Sequence, residues 1–344
     1  MKIIILAGGS GKRLWPISED NLPKQFLKFL DHESLFQKTV LRFENFKYLD
    51  EIFIVVNKNY EEITKQQLKE INYNKKYTII IEPDQRNTFG AILYAIKYLK
   101  ENKKIDDNEK ILILPSDHLI FPREKFLAYL ENLNNKNFNE IVIFGIRPYK
   151  IETGYGYVKI LEKVEDDIYR VDSFIEKPSF KNAKKFFISE KYLWNAGIFL
   201  LTSKIFEQQI KKYASELYEF YNLSFSELNK KFCEMQSISI DYGLLEKSSE
   251  ILVNPLELTW SDVGSWDSLY DIMDKDENLN VTKGDVLTLN TKNSLIFAKK
   301  KLISTIGLEN ILVVETDNAI FLAKKGHSQK VKLLIEKLQK KAVK

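Results

Sequence analysis

The chain is poor in the residues on which several classes of protein depend. Its 344 residues include one cysteine, Cys233, and three histidines. A single cysteine excludes an internal disulfide and fits a reducing compartment. The N-terminal apolar run, Ile3 to Ala7, is too short for the core of a signal peptide, and no run approaches the roughly 18 apolar residues that a membrane-crossing helix needs. We therefore expect a cytoplasmic protein that does not bind a membrane.

The chain also has little net charge. Its 52 Lys and Arg residues nearly balance 48 Asp and Glu residues, giving a formal charge of +4. The basic residues are scattered and interleaved with acidic ones, so they form no stripe suited to a nucleic-acid backbone. Hydrophobic residues make up 44% of the chain, which is typical of a globular protein with a real core. We expect no nucleic-acid partner.

Short apolar strands alternate with amphipathic helices over the first 120 residues. This rhythm predicts an α/β fold with a Rossmann-like, mainly parallel sheet flanked by helices and with functional loops at the carboxyl ends of the strands. The predicted strands are Ile3 to Ala7, Ile52 to Val56, Thr78 to Ile81 and Ile111 to Leu114, and the predicted helices are Leu35 to Phe43, Tyr60 to Ile71 and Ala91 to Leu99.

The first strand runs into a glycine-rich turn, Gly8 to Gly11, followed by the cations Lys12, Arg13 and Lys24. Glycines let backbone N–H groups converge, and nearby cations complete a site for a polyphosphate. The nucleoside-triphosphatase loop is excluded because it requires Gly where Leu6 stands, and the dinucleotide fingerprint G-x-G-x-x-G lacks its third glycine. The turn predicts a phosphate cradle of another kind, and an ordinary basic turn is the alternative.

The strand at Ile111 to Leu114 ends in the segment PSDH, which contains Asp117. Mg²⁺ typically uses one or two carboxylates together with phosphate oxygens of the substrate. A carboxylate at the end of a buried strand therefore predicts a metal ligand, while an N-cap for the following turn is the alternative. His118 is better explained as a neighbouring or packing residue.

The segments LAGGSGKRLWP and PKQFL resemble the signature of the sugar nucleotidyltransferases, and most closely that of the mannose-1-phosphate guanylyltransferases. The resemblance extends to about residue 325 and departs at Lys12, where the family usually has Thr. It implies a Mg²⁺-dependent reaction in which α-D-mannose 1-phosphate attacks the α-phosphorus of GTP, giving GDP-mannose and pyrophosphate. The catalytic residues that it implies are Arg13, Lys24, Asp117, Lys177 and Asp262.

The nucleotide site implied by the resemblance combines the glycine loop, the segment EPDQRNT and PSDH. From the residues alone, capping of a helix by Asn87 or Thr88 would be favoured for the second segment. The family usually continues with A-P-A, whereas this chain has Phe89-Gly90-Ala91. The implied nucleotide-binding residues are Leu6, Ala7, Gly8, Gly9, Ser10, Gly11, Arg13, Lys24, Glu82, Arg86, Asn87, Thr88, Ser116 and Asp117.

Three further segments, ETGYGY, FIEKP and WNAGIF, resemble the family's sugar-binding motifs. By this resemblance a glutamate accepts hydrogen bonds from sugar hydroxyls and a lysine contacts the sugar phosphate, although a surface charge pair is the commoner reason for such residues. The implied sugar-binding residues are Gly154, Tyr155, Gly156, Glu176, Lys177, Asn195 and Gly197.

Two later motifs complete the resemblance. SIDYGLLEK has Gly243 where the family usually has Ala, and we interpret its Asp241 and Glu246 as helix-start and structural residues. WSDVGSW contains Asp262, which the resemblance makes the second Mg²⁺ ligand. Capping of the helix that contains Asp267 is the alternative, and both roles are compatible.

From Gly284 to Leu322 the pattern changes to short apolar strands separated by polar turns, followed by a Lys-rich amphipathic helix. A small sheet would fit, but the family has short β-helix rungs here. We expect a catalytic domain at 1–278 and a C-terminal region at 279–344 that contributes to a homodimer. The chain stops where bacterial relatives continue into an isomerase domain, so we expect no isomerase activity.

Two rival functions remain open from the sequence. The departures at Phe89-Gly90, Ala196 and Gly243 could reshape a pocket for another sugar 1-phosphate, such as a heptose or fucose derivative. A regulatory subunit that binds a nucleotide sugar without turnover is the rival from a different class. The joint presence of the five implied catalytic residues argues against it.

Overall fold

The computed structural model describes residues 1–9, 14–18, 22–30 and 32–342. Within these ranges the chain forms two compact units. The first contains Met1–Gly8, Thr39–Ser116 and Ile120–Trp260, and the second contains the described residues of Gly9–Lys38, Asp117–Leu119 and Ser261–Lys344. The catalytic and C-terminal domains expected from the sequence, 1–278 and 279–344, stay a prediction.

The secondary structure alternates between strands and helices through most of the chain. The strands are β1 (Lys2–Leu6), β2 (Glu51–Asn57), β3 (Tyr77–Glu82), β4 (Lys110–Pro115), β5 (Leu119–Phe121), β6 (Ile141–Ile146), β7 (Tyr157–Glu165), β8 (Ile168–Ile175), β9 (Tyr192–Thr202), β10 (Ile251–Leu256), β11 (Thr259–Ser261), β12 (Val281–Lys283), β13 (Val286–Leu289), β14 (Leu295–Phe297), β15 (Ile303–Ile306), β16 (Ile311–Glu315) and β17 (Ile320–Lys324). The α-helices are α1 (Leu35–Leu41), α2 (Glu61–Glu70), α3 (Asn87–Asn102), α4 (Arg123–Asn134), α5 (Phe180–Ser189), α6 (Ser203–Tyr213), α7 (Ser215–Asn222), α8 (Phe225–Lys231), α9 (Trp266–Ile272) and α10 (Val331–Ala342).

The first unit is built on a nine-stranded sheet with the order β3-β2-β1-β4-β9-β6-β10-β8-β7. Strands β3, β2, β1 and β4 are parallel neighbours, and β6 is parallel to β10. Strand β9 is antiparallel to both β4 and β6, and β8 is antiparallel to both β10 and β7. All strands of this sheet except β8 and β9 therefore run in one direction, which confirms the predicted mainly parallel α/β fold.

The central strands are apolar because helices cover both faces of the sheet. Strands β1, β2, β4 and β6 are buried along almost their whole length, as expected for parallel strands without a solvent-facing side. Helix α3 packs Phe89, Ile92, Leu93 and Ile96 into the same core, and each of these side chains is fully buried. This rigid core positions the strand ends at which the implied nucleotide-binding residues lie.

The C-terminal strands of the second unit form rungs of parallel structure. Val281 pairs with Leu295, and Leu295 pairs with Leu312, so β12, β14 and β16 stack in one sheet to which β17 adds an antiparallel edge. Strands β13 and β15 form a second parallel pair. The inward side chains pack with Trp266 and Leu269 of α9. The predicted β-helix-like rungs are confirmed.

Several elements differ from the sequence expectation. The sequence pattern predicts one helix across Lys204 to Leu217. The chain forms the two helices α6 and α7 there, because Ala214 between them has the non-helical dihedrals φ −144° and ψ 56°. Strands β9 and β10 and helices α4 and α5 were not predicted. Strand β15 also escaped prediction, since polar Ser304 and Thr305 interrupt its apolar residues.

None of the helices in the described ranges combines the length and the apolar character that a bilayer crossing requires. The expected homodimer remains a prediction.

Candidate active site

The ammonium of Lys24 joins two carboxylate-bearing segments of the second unit. Its Nζ lies 2.9 Å from Oδ2 of Asp117 and donates to the backbone oxygen of Asp262 at 2.5 Å. It also donates to the backbone oxygen of Val263 at 3.3 Å. Lys24 is buried, and these segments are distant in sequence. The structure therefore brings together three of the residues that the resemblance implies for catalysis.

The Asp117 carboxylate is held in its ionised form. Burial alone would raise its pKa, but the Lys24 ammonium and the neighbouring His118 outweigh burial and hold the pKa of Asp117 below its ordinary value. Asp117 lies in the turn between β4 and β5, so no helix begins directly after it. An ionised carboxylate is the oxygen ligand that a hard divalent cation prefers.

Asp262 lies in a tight turn before α9. Its Oδ1 accepts a hydrogen bond from the backbone N–H of Gly264 at 2.9 Å, and a Cβ on Gly264 would come within 2.3 Å of Asp262 Oδ2. Glycine at this position therefore allows the Asp262 carboxylate to lie close to the main chain. Helix α9 is capped by Ser265, whose side chain accepts from the N–H of Ser268, so the alternative in which Asp262 caps this helix is wrong.

These carboxylates fit a site that completes its coordination with substrate. Across the described residues, no three or more His, Cys, Asp or Glu side chains are grouped to hold a metal by themselves. Mg²⁺ usually takes one or two carboxylates and fills its other positions with water and phosphate oxygens. The side chains of Asp117 and Asp262 have carboxylate oxygens of this kind, and their role as metal ligands stays a prediction.

The proposed nucleotide residues of the first unit lie at the ends of β1 and β4. The N–H of Ser116 donates to the carbonyl of Leu6 at 2.9 Å, and the N–H of Ala7 donates to Val55 at 2.8 Å, so the sheet bonding continues up to the glycines. A Cβ on Gly8 would lie 2.6 Å from Oε1 of Glu82. Glycine thus allows the Glu82 carboxylate to approach the start of the loop.

The rest of the predicted phosphate cradle is only partly described. Ser10, Gly11, Lys12 and Arg13 lie outside the described residues, so their implied roles remain proposals. In the second unit, the side-chain amide of Gln25 donates to the carbonyl of Gly9 at 2.9 Å.

Glu82 is a buried carboxyl at the end of β3. Burial, with a smaller contribution from Asp84, raises its pKa to about 7. Arg86 follows, with its Nη2 2.8 Å from Oδ2 of Asp84. A carboxyl that titrates near neutrality beside a glycine loop is typical of a functional position.

Asn87 and Thr88 do not cap α3 in the way that the sequence favours. The N-cap position belongs to Arg86, which makes no side-chain cap bond, and Asn87 has a positive φ of 62°. The Asn87 Oδ1 instead accepts from the N–H of Thr88 at 2.8 Å. The Thr88 hydroxyl accepts from the N–H of Ile240 at 3.1 Å, so its side chain holds a distant segment rather than its own helix end.

The residues implied for sugar binding form a connected group in the first unit. The Asn195 N–H donates to the carbonyl of Gly156 at 2.8 Å. A Cβ on Gly156 would lie 2.5 Å from Oε2 of Glu176, so the glycine allows close approach of the carboxylate. The Glu176 carboxylate pairs with the ammonium of Lys177, which is exposed. Gly197 has a φ of 66°, which favours glycine.

The loop before β7 is held by its own acid and by aromatic packing. Oε1 of Glu152 accepts from the N–H of Gly154 at 2.9 Å. The Tyr155 ring packs edge-on against Trp194 at 5.1 Å and against Trp260 at 5.2 Å between ring centroids. Trp194 is fully buried, so this ring cluster gives Tyr155 a fixed support.

Sequence reasoning missed the position of Asp241. This residue begins a π-helical turn, Asp241–Leu245, as expected for a helix-start residue, but its Oδ1 also accepts from Nδ2 of Asn195 at 2.9 Å. Glu246 likewise accepts from the N–H of Glu176 at 2.8 Å. No local pattern signals these contacts, because they join segments that are far apart in sequence.

Comparisons with known proteins agree with this geometry. The family model for the nucleotidyl transferases matches residues 2–278, and that for the mannose phosphate isomerase/GMP-like β-helix domain matches residues 284–338. The alginate biosynthesis protein AlgA of Pseudomonas aeruginosa is 38% identical over 97% of this chain and 71% of its own length. Mannose-1-phosphate guanylyltransferase 2 of Escherichia coli O157:H7 is 35% identical over 98% of this chain and 73% of its own length.

A solved structure gives the same result for the fold. A Thermus thermophilus protein described as a mannose-1-phosphate geranyltransferase superposes with a TM-score of 0.83 and 25% identity, covering 98% of each chain. The chain therefore belongs to the nucleotidyl transferase family and is an enzyme of that family, related to the mannose-1-phosphate guanylyltransferases.

Proposed function

We propose that this enzyme joins GTP and α-D-mannose 1-phosphate into GDP-mannose and pyrophosphate. The observation that supports this most directly is the connected group of Glu176, Lys177 and Asn195. Glu176 and Lys177 follow the end of β8, Asn195 lies in β9, and their side chains are of the kinds that bind hydroxyls and phosphates. Two curated relatives, which are 35% and 36% identical to this chain, are named mannose-1-phosphate guanylyltransferases.

Members of the family generally use a divalent metal and bind a nucleotide and a sugar phosphate. For this chain we assign the metal to Asp117 and Asp262 and its identity to Mg²⁺, because the residues offer carboxylate oxygens and no soft ligands. When bound, the ion would neutralise phosphate charge. Lys24 keeps the two segments together through its contacts with Asp117 and with the backbone at Asp262 and Val263.

The chemistry proposed for the chain is positioning and charge neutralisation. A sugar phosphate oxygen attacks the α-phosphorus while pyrophosphate leaves on the opposite side, so the P–O bond to pyrophosphate breaks as the new one forms. No enzyme nucleophile takes part. Arg13, Lys24 and Lys177 are the cations proposed to balance the phosphates. To bind a phosphate, the Lys24 ammonium would give up one of its present contacts with Asp117 or with the backbone oxygen of Asp262.

Glu82 gives the proposed nucleotide site a preference for guanine. Guanine presents an N–H and an amino group side by side, and an ionised carboxylate accepts from both, whereas adenine offers no such pair. Replacement Glu82→Gln should lower kcat/KM for GTP about tenfold or more, as expected when a charged hydrogen bond is lost. Activity with ATP, measured in the same pyrophosphate-release assay, should not fall.

Glu82→Gln should also change the free energy of unfolding. The pKa of Glu82 is raised to about 7, so the stability linked to its protonation is present below the pKa of the unfolded chain and lost as pH rises through 7. Glu82→Gln should therefore be more stable than the parent at pH 8 by about 1 to 3 kcal/mol in urea unfolding. The matched control is Glu51→Gln, because the buried Glu51 accepts from Thr78 at 2.6 Å and from Lys103 at 3.0 Å and should lose stability. Equal GTP and ATP losses for Glu82→Gln would contradict the guanine assignment.

Lys177 is proposed to contact the sugar phosphate. Replacement Lys177→Ala should raise the KM for mannose 1-phosphate about tenfold or more while the Kd for GTP stays within about twofold, since only one substrate loses a charge partner. Steady-state kinetics and GTP calorimetry separate the two effects. The exposed Lys181 of α5 offers a matched control, Lys181→Ala, that should change neither value. A weakened GTP complex with an unchanged KM for the sugar phosphate would place Lys177 on the nucleotide side.

The proposed function is tested by pyrophosphate release over a panel of nucleoside triphosphates and sugar 1-phosphates. GTP with mannose 1-phosphate should give the highest kcat/KM. A higher value with a heptose or fucose 1-phosphate would transfer the assignment to that sugar. Binding of GDP-mannose without turnover of any pair would favour the regulatory subunit.

A further inference from the structure

The amide of Asn195 is fixed in one of its two orientations. Its Nδ2 donates to Oδ1 of Asp241 at 2.9 Å, and its Oδ1 accepts from the N–H of Gly197 at 3.1 Å. A carboxylate can only accept and a backbone N–H can only donate, so a rotated amide would lose both bonds. The orientation therefore depends on Asp241, which lies outside the sugar motifs that the resemblance implies.

Asn195 lies at the centre of the proposed sugar residues. Its own N–H bonds the carbonyl of Gly156, and Gly156 in turn allows close approach of the Glu176 carboxylate. Among the described residues, these two bonds leave one N–H and one lone pair of the Asn195 amide for a ligand. A sugar hydroxyl both donates and accepts, so it matches this remaining pair of groups.

Asp241 is supported from the nucleotide side of the first unit. The N–H of Ile240 bonds the Thr88 hydroxyl at 3.1 Å, and the N–H of Phe89 bonds the carbonyl of Ile238 at 3.4 Å. Two bonds thus tie the segment that leads into Asp241 to the start of α3. The residues directly before Asp241 are therefore fixed by one bond to a side chain and one bond to the main chain.

The charge of Asp241 is unfavourable where it lies. Burial and the neighbouring Glu176 carboxylate raise the pKa of Asp241 to about 6, with Lys177 and the Ser239 hydroxyl opposing the shift. The Glu246 carboxylate accepts from the N–H of the same Glu176 at 2.8 Å. The ionised Asp241 carboxylate therefore lowers the stability of the fold, so a purely stabilising role does not explain this residue.

We propose that Asp241 is a positioning residue for the sugar phosphate, whose carboxylate orients the Asn195 amide toward the sugar hydroxyls. The inference rests on the proposed function and adds Asp241 to it, as a residue that acts on the sugar phosphate through Asn195. Its loss affects the use of the sugar phosphate and leaves the binding of GTP unchanged.

The test compares Asp241→Ala and Asp241→Asn with the parent in steady-state kinetics and thermal unfolding. Asp241→Ala should raise the KM for mannose 1-phosphate about tenfold or more, with the KM for GTP within about twofold. Asp241→Asn keeps an oxygen that can accept from Asn195. Its KM for mannose 1-phosphate should therefore be at least about threefold lower than that of Asp241→Ala (~0.7 kcal/mol). Its melting temperature at pH 7.5 should equal or exceed that of the parent, because the unfavourable charge is gone. The control is Asp172→Ala, which removes an exposed carboxylate paired with Lys159.

The outcomes separate this inference from the function on which it rests. If the parent turns over and Asp241→Ala keeps its KM for the sugar phosphate within twofold, the positioning role is wrong and the proposed function stands. If Asp241→Asn melts lower and both KM values rise together, Asp241 is a structural residue and the inference is also wrong. If the parent neither turns over nor binds mannose 1-phosphate by calorimetry, both proposals are wrong.

Discussion

Replacement of Asp117 or Asp262 by asparagine should lower turnover at least about a hundredfold while the fold persists. Each change removes a negative charge from the proposed metal site, and electrostatic stabilisation of developing phosphate charge is commonly the largest contribution to such catalysis. The amide keeps the shape of the side chain, so the loss should fall on kcat at saturating Mg²⁺. Pyrophosphate release under saturating GTP and sugar phosphate measures it.

The measurement has two internal checks. Chelation by EDTA should stop the parent enzyme, and added Mg²⁺ should restore it. The control Asp285→Asn alters an exposed carboxylate of the second unit and should leave turnover unchanged. Near-normal turnover of either variant at saturating Mg²⁺ would remove that residue from the metal site.

Asp117→Asn should also change the dependence of stability on pH. The pKa of Asp117 is held low by Lys24, so the carboxylate stabilises the folded state above its unfolded pKa and this contribution is lost as pH falls through the lower, folded value. The variant should show a weaker acid dependence than the parent. Circular dichroism at pH 7 verifies that its fold is retained before kinetics are compared.

The sequence predicts the fold well because the fold depends on local patterns. The buried strands β1, β2, β4 and β6 are continuous apolar runs, and such runs alternating with helices have few alternative arrangements. Strand β9 was missed because its segment WNAGIF reads as a sugar motif with a polar residue and a glycine inside. Periodicity alone gives no strand where functional residues interrupt it.

The candidate site is predicted less completely, since its contacts join distant segments. Motif resemblance identified Asp117, Lys24 and Asp262, but no pattern in the sequence indicates that the Lys24 ammonium contacts Asp117 and the backbone at Asp262. Asp241 was interpreted as a structural residue because a turn-start aspartate has a sufficient local explanation. Its bond to Asn195 becomes visible only in three dimensions.

Two departures from the family pattern contact each other in the core. A Cβ on Gly243 would lie 2.5 Å from Cδ1 and 2.8 Å from Cε1 of Phe89, so the phenyl ring occupies the space that the family's usual alanine would fill. Phe89 is fully buried. We infer that Phe89 and Gly243 are a compensating pair, in which the large residue is tolerated because its neighbour has no side chain.

A double-mutant cycle should show this compensation. Gly243→Ala should destabilise the enzyme by about 1 to 3 kcal/mol through overpacking. Phe89→Ala should cost about 3 to 5 kcal/mol through the cavity that it leaves. The double variant should be more stable than the sum of the two losses implies, by at least about 1 kcal/mol, since the new methyl group enters space that the ring has vacated. Urea unfolding of the four proteins gives the coupling free energy.

The matched cycle combines Phe89→Ala with Gly145→Ala. A Cβ on Gly145 would meet Cδ1 of Leu193 at 2.5 Å, so this glycine is equally crowded but by a different side chain. Its effect should add to that of Phe89→Ala within about 0.5 kcal/mol. Because Gly243 and Asp241 share one turn, Gly243→Ala should also raise the KM for mannose 1-phosphate, and the second substitution at Phe89 should reverse part of that rise. Additive losses in both cycles would mean that the two departures are independent and that the contact between them has no energetic consequence.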